Sequence, residues 1–410
     1  MVAKVKAGYK QTEVGVIPED WEVKKISDVC TLINGRGFKP YEWRRSGLPI
    51  IRIQNLNGSE EFNYFQGDYN QKIEVERGQL LFAWSGSKGT SFGPHIWHGS
   101  LGLLNYHTWK VVINNEIIDK DYLFYILKLL TKFIESNAHG ASALVHTQKW
   151  EMEGFSLQVP NKTTEQSAIA EALSDTDTLI ESLNKLIEKK KMIKQGAMQE
   201  LLTGKRRLLG FRGEWMKLVL SKFLSIPVTD GPHLTPKFLK TGIPFLSVNN
   251  LVDNKINWQS LRYISKEDDI EFSKKCKPKR NDILLGKAAT VGTVAIVEND
   301  YDFNIWSPLA LIRVKDHYFA KYFYYCLQTE FLTNQILFFT NSSSQGNVGM
   351  RDIRKLIFYM PPTKEEQEAI AKVLSEMDDE IELLEKKRDK YKHIKQGMMQ
   401  ELLTGRIRLI

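Results

Sequence analysis

Cysteine is scarce in this chain of 410 residues. Cys30, Cys276 and Cys326 are the only three, far apart and odd in number. No disulfide framework and no zinc-ligand spacing follows from them, so buried or idle thiols in a reducing compartment are expected. Long apolar runs are also missing. Nothing approaches the roughly 18 residues of a membrane span, and the opening stretch MVAKVKAGYKQTEVGVIPED has no apolar signal core. A soluble, cytoplasmic chain without membrane contact is expected.

Catalytic signatures are absent too. Gly204-Lys205 lacks both the first glycine and the Ser/Thr of a phosphate loop, and LLGKAATVGT has its lysine at the wrong spacing. YMPPT at Tyr359 has the prolines of an adenine-methylating box but neither its acid or amide nor its aromatic, and reads as a helix lead-in. Asp20, Glu22 and Lys24 in PEDWEVK superficially match a nuclease box, yet lie too close together to come from two strands. His95 and His98 have no companion carboxylate or thiol cluster, and Ser342-Ser343-Ser344 has no elbow or base nearby in sequence. No catalytic, cofactor or metal residue is assigned, and the chain is expected to catalyse nothing by itself.

What is present is a repeat. IKQGAMQELLTG at Ile193 returns as IKQGMMQELLTG at Ile394, with one difference in twelve. Displaced by 201 residues, Pro160–Leu209 matches Pro361–Ile410 without gaps, with 28 of 50 positions identical. The chain is an internal duplication. Each copy reads as one long helix of about 40 residues, roughly 60 Å at 1.5 Å per residue. Thr363 and Glu366 have capping-box spacing; in the first copy Thr163 or Thr164 takes the capping place, since Lys162 matches Thr363. Gly204 and Gly405 supply stop signals.

An apolar seam on a three-four rhythm runs along each copy. It holds Ile169, Leu173, Ile180, Leu183 and Ile187 in the first, and Ile370, Leu374, Met377, Ile381 and Leu384 in the second. Two equal stripes in one chain predict that the helices pair with each other, antiparallel, as a coiled-coil rod. Gly196 and Gly397 lie inside the helices, where glycine is costly; close helix approach or a tolerated local kink accounts for them.

The segments between the helices share a plan at weak identity. GLPIIRIQNLN at Gly47 parallels GIPFLSVNNLV at Gly242, and RGQLLFAWSGSKGT at Arg77 parallels RNDILLGKAATVGT at Arg280. Short apolar strands mix with helical stretches such as DYLFYILKLLTKFIESN and HYFAKYFYYCLQTEFLTNQI. The fold class is therefore α+β (mixed α/β). Four parts are expected: a domain at 1–158, a central helix at 159–208, a second domain at 209–358 and a C-terminal helix at 359–410.

Charge and loop composition point to binding. The net charge is +8 and the pI about 9.0, compatible with a polyanionic partner. Basic, amide and aromatic residues cluster in loop-like stretches, where Arg and Lys suit guanine or phosphate and Asn and Gln suit adenine. In the first half the candidates are Arg36, Lys39, Tyr41, Arg44 and Arg45, then Ser85, Lys88 and Thr90, then Gln148 and Lys149. In the second half they are His233 and Lys237, then Lys287 and Thr290, then Ser343, Ser344, Gln345, Asn347 and Arg351. KKCKPKR from Lys274 reads as a phosphate-facing or merely exposed turn.

Over essentially its full length this layout resembles the specificity (S) subunit of Type I restriction-modification systems. Pro160, Glu165, Gln166, Ile169 and Ala170, repeated as Pro361, Glu366, Gln367, Ile370 and Ala371, carry the likeness, with the LLTG endings at Leu201 and Leu402. The resemblance implies two target-recognition domains, each reading one half of a split duplex DNA site. It also implies a helical spacer that docks two methyltransferase subunits, with restriction/translocase subunits joining for cleavage. S-adenosylmethionine and ATP with magnesium would then belong to those partners, not to this chain. A coiled-coil scaffold with protein-binding end domains, and a self-contained DNA-modifying enzyme, are the competing readings.

Overall fold

The computed structural model describes residues 5–137, 144–316, 318–341 and 346–409. The chain divides into two compact units, Met1–Asn184 with Lys387–Ile410, and Lys185–Lys386.

In the first unit an antiparallel sheet runs in the order Gly93–Ile96, Leu80–Ala83, Thr108–Ile113, Cys30–Asn34. Its strand LLFA is an unbroken apolar run and is buried at every position, as a central strand covered on both faces should be. A second sheet has the order Asn63–Phe65, Leu48–Ile51, Gly102–Leu104, Glu74–Val75, and there Leu48–Ile51 and Gly102–Leu104 run parallel. The helix Lys120–Asn137 buries Tyr122, Leu123, Tyr125, Ile126 and Leu127 on one face. Trp21–Lys25 pairs with Ser156–Pro160 just before the long helix begins.

The second unit repeats this topology. One sheet has the order Thr229–Asp230, Leu309–Ile312, Ile283–Gly286, Val294–Ile296; the other has Arg262–Ile264, Ile243–Leu246, Asn304–Ile305, its last pair parallel. Met216–Val219 pairs with Ile357–Met360 before the second long helix. Two domains of weak sequence identity thus share one scaffold, because burial pattern rather than residue identity specifies it. One expected helix differs. HYFAKYFYYCLQTEFLTNQI is not continuous but forms Ala320–Leu327 and Glu330–Asn341. Thr329 makes the break: its hydroxyl donates to the Cys326 carbonyl at 2.6 Å and accepts from the Leu332 N–H at 3.4 Å, ending one helix and capping the next.

The two long helices are Thr163–Leu201 and Lys364–Leu402, 39 residues each, or about 58 Å. Thr363 caps the second, accepting from the Glu366 N–H at 3.3 Å. In the first, Lys162 occupies the matching place and offers its carbonyl to Glu165, so neither Thr163 nor Thr164 is the cap. Gly204 and Gly405 take left-handed φ of +73° and +72° and stop both helices.

Helix pairing is antiparallel within each unit. In the first, Asp177 meets Lys395, Thr176 meets Met398 and Glu165 meets Arg408. In the second, Lys190 meets Glu380 at 2.6 Å, Lys194 meets Asp378, and Arg207 meets Glu366 at 2.6 Å. The contacts are reciprocal. Asp177 and Asp378 are the same repeat position, as are Lys194 and Lys395, Glu165 and Glu366, and Arg207 and Arg408. Each unit therefore contains the same bonds with the helices exchanged, as an internal repeat requires. Tyr125 and Tyr325 complete it, donating to Asp177 at 3.0 Å and to Asp378 at 2.9 Å.

The seam residues have a broader role than pairing. Ile169 and Leu173 are fully buried in a cluster with Trp21, Tyr122, Met399 and Leu402. Ile370 and Leu374 lie with Met198, Leu201, Tyr322 and Phe358, and Met377 packs against that cluster. These turns fasten each helix to its own domain as well as to the other helix. Leu183, Ile187 and Ile381 are buried farther along, while Ile180 and Leu384 are half-buried.

Close helix approach does not explain the internal glycines, because a Cβ built at Gly196 or Gly397 meets nothing within 4 Å. Gly196→Ala and Gly397→Ala are expected to stabilise the free chain by about 0.5–1 kcal/mol each, visible as a higher midpoint in thermal denaturation. A lower midpoint would mean that these helix positions are not regular.

Candidate nucleic-acid interface

The matched scaffold brings loops from distant sequence to one locus in each unit. In the first, Leu144–His146 pairs with Ser85–Ser87, which sets His146, Gln148 and Lys149 beside the Ser85–Thr90 turn. The Arg36 N–H donates to the Leu104 carbonyl at 2.9 Å, adding the Gly35–Gly37 loop. A side chain at Gly35 would strike the Asn105 carbonyl at 2.0 Å, so glycine is required there. Lys39, Tyr41, Arg44 and Arg45 are exposed, and the Arg44 backbone bridges to Tyr64 of the second sheet. Lys88, Thr90 and Gln148 are exposed as well, while Lys149 is half-buried and loosely paired to Glu153 at 3.5 Å.

Two first-half candidates are committed within the protein. Ser85 is only 8% exposed, so its hydroxyl does not face outward. Arg36 pairs with Glu42, and its guanidinium lies 4.8 Å from the ring centres of both Phe38 and Phe65. Its charge orders the loop. Spacing alone did not single out Trp84, Tyr106, His107 and Trp150. Tyr106 and Trp150 are 47% and 69% exposed, and Trp84 lies edge-to-face against His107 at 5.4 Å. Burial, with a smaller contribution from nearby His146, holds the His107 imidazole below its ordinary pKa, so near neutral pH it is uncharged and offers both a donor and an acceptor.

In the second unit His233, Lys287 and Asn347 line one cleft of about 410 Å³ with Asp230, Ser307 and Asp352. Asp230 is fully buried. Burial would raise its pKa, but hydrogen bonds and charge from Lys275 and Lys287 outweigh that and hold it below the ordinary carboxylate range. Its Oδ2 lies 3.1 Å from Lys287 Nζ and 3.3 Å from His233 Nε2. Lys287 is thus not a loose loop lysine; its side chain is 13% exposed and aimed by a buried anion. Asp230 stands before a glycine and reads in sequence as an ordinary turn acid. Lys237, Thr290 and Arg351 are exposed outside the cleft lining. Ser343, Ser344 and Gln345 lie outside the described residues.

The basic run at Lys274 is largely neutralised. Lys274 pairs with Glu271, Lys275 with Asp230, Lys277 with Asp269 and Asp302 at 2.8 and 2.6 Å, and Arg280 with Asp300 at 3.4 Å. Cys30, Cys276 and Cys326 are free and buried, and burial pushes the Cys30 and Cys276 thiols up to about 12. Among the described residues no three His, Cys, Asp or Glu side chains converge as a metal-binding group, and no helix is long and apolar enough to cross a membrane.

One scaffold used twice, with a locus of differing chemistry in each copy and a duplicated helix shared by both units, defines a recognition protein of two matched domains. The chain matches the family described as the Type I restriction modification DNA specificity domain over residues 18–191 and 234–393, and it belongs to that family of DNA sequence-specificity subunits. It is 27% identical to the Type I restriction enzyme MjaVIII specificity subunit of Methanocaldococcus jannaschii, across 96% of this chain and 94% of that one. To the EcoBI specificity subunit of Escherichia coli it is 22% identical, across 87% and 79%. Its fold is similar to that of the S subunit from M. genitalium, with a TM-score of 0.61 at 15% identity and 97% of both chains covered.

Proposed function

We propose that this chain reads a bipartite duplex DNA site for a Type I restriction-modification complex, each domain taking one half. The long helices set the spacing and dock two methyltransferase subunits; restriction/translocase subunits join that assembly. On this reading the chain itself does no chemistry: S-adenosylmethionine and ATP with magnesium are bound by the partners.

One observation carries the docking reading. Much of the identity between the helices is used inside the chain, at Glu165, Gln166, Asp177, Lys194 and their repeats. Gln166, for example, accepts from the Asp119 N–H at 2.7 Å, and Gln367 accepts from the Phe319 N–H at 3.0 Å. A stripe of identity remains unspent. Ile193 and Ile394 are 47% and 40% exposed, Gly196 and Gly397 follow about one turn on, exposed and half-buried respectively, and Gln199 and Gln400 are exposed beyond them. Identical, outward and partly apolar surface in two copies suits one kind of partner bound twice.

The test is to incubate the chain with its methyltransferase, S-adenosylmethionine and random duplex DNA, and to map methylated adenines. Methylation confined to one split sequence is expected, with none from the chain alone. Methyl transfer by the chain alone, or methylation without sequence restriction, would overturn the reading.

A further inference from the structure

The two outward loci are equivalent residue by residue, although their side chains are unrelated. The Trp84 N–H donates to the His107 carbonyl at 3.2 Å, and the Thr147 N–H donates to the Trp84 carbonyl at 3.0 Å. In the second unit the Lys287 N–H donates to the Pro308 carbonyl at 2.9 Å, and the Val348 N–H to the Lys287 carbonyl at 3.0 Å. The incoming strands agree: Leu104 pairs with Ile51 and Ile305 with Leu246, and the next residues, Asn105 and Trp306, donate back to those partners at 3.0 and 2.8 Å. Trp84 therefore corresponds to Lys287, Tyr106 to Ser307, His107 to Pro308 and His146 to Asn347.

We infer that this position is the base-reading site of each domain, with Lys287 and Asn347 reading in the second and Trp84 with His146 in the first. The inference rests on the DNA-specificity reading above and names the residues within it. The second locus presents an ammonium and an amide. Lys287 donates only, and an ammonium suits the O6/N7 acceptors of guanine; an amide suits adenine N6/N7. Its base is a purine read on the major-groove edge. The first locus presents an indole whose N–H is already given to the Tyr106 carbonyl at 3.0 Å and one of whose faces stacks on Trp109 with ring centres 6.0 Å apart, leaving the other ring face. That face suits the methyl group of thymine. Asp230 is a positioning residue: fully buried, it cannot touch a base, but it fixes Lys287 Nζ.

The chain assembled with its methyltransferase is assayed on duplex libraries in which each half-site is randomised in turn. Lys287→Met and Asn347→Ala are each expected to relax one purine position in one half-site by roughly ten- to hundredfold, leaving the other half-site as strict as before. Asp230→Asn is expected to relax the same position as Lys287→Met. Trp84→Ala is expected to relax the opposite half-site. Retained strictness in the other half-site reports a folded complex; should Lys287→Met fail to assemble, Asn347→Ala decides. An unaltered target for Asn347→Ala and Trp84→Ala would overturn the inference while the specificity reading stands. If the unsubstituted assembly itself showed no sequence restriction, both would fall.

Discussion

Exchanging residues 1–155 for the corresponding segment of a relative with another target will replace one half of the methylated site and leave the other unchanged. The loss of the original half-site should be at least about a hundredfold, since three mismatched base pairs at about 1–3 kcal/mol each amount to about 3 kcal/mol or more. The reason is the independence of the two units' cores. The cluster around Trp21, Phe82, Trp109 and Tyr122 shares no residue with that around Phe223, Phe323 and Phe358. The graft must keep an indole at Trp21, which donates to Glu165 at 3.3 Å, and a carboxylate at Asp20, which Arg408 holds at 2.8 and 2.9 Å. Mapped methylation provides the readout. A change in both halves would contradict modular reading.

Lengthening both helices together, by seven residues after Asn184 and seven after Lys386, is expected to widen the gap between the half-sites by about three base pairs. Seven residues add about 10.5 Å and nearly restore the helix face, against about 3.4 Å per base pair. The insertion points lie outside the reciprocal ion pairs, so Asp177–Lys395 and Lys194–Asp378 stay in register. Insertion into one helix alone shifts one set against the other and should lower the melting temperature and block assembly. Full activity at the original spacing from the doubly lengthened chain would contradict the ruler.

The duplication, the helix stops at Gly204 and Gly405 and the pairing of the helices were legible because they rest on local chemistry: a repeated phrase, glycine stops and a periodic seam. The candidate interface was legible only in part. Basic and amide-rich turns marked His233, Lys287 and Asn347, which one cleft brings together. Composition cannot tell a loop arginine that faces outward from one consumed by its own domain, as Arg36 is by Glu42 and two phenylalanines. Nor can it find Asp230 or Trp84, whose importance depends on pairings across more than twenty residues. The break at Thr329 is hidden in the sequence because a threonine cap inside an apolar run leaves the helical period nearly intact.

The first unit is finished by residues synthesised after the whole of the second. Met399, Leu402 and Leu403 fill its core, the Tyr9 hydroxyl donates to the Gly405 carbonyl at 3.2 Å, and Arg408 secures Asp20 and Glu165. At 5–20 residues per second, ribosomal synthesis leaves that core open for roughly 10–40 s after Asn184 emerges. The second unit, contiguous from Lys185 to Lys386, has all its parts earlier. Vectorial folding therefore runs against chain order here, and the first domain waits for a helix that is made after the second.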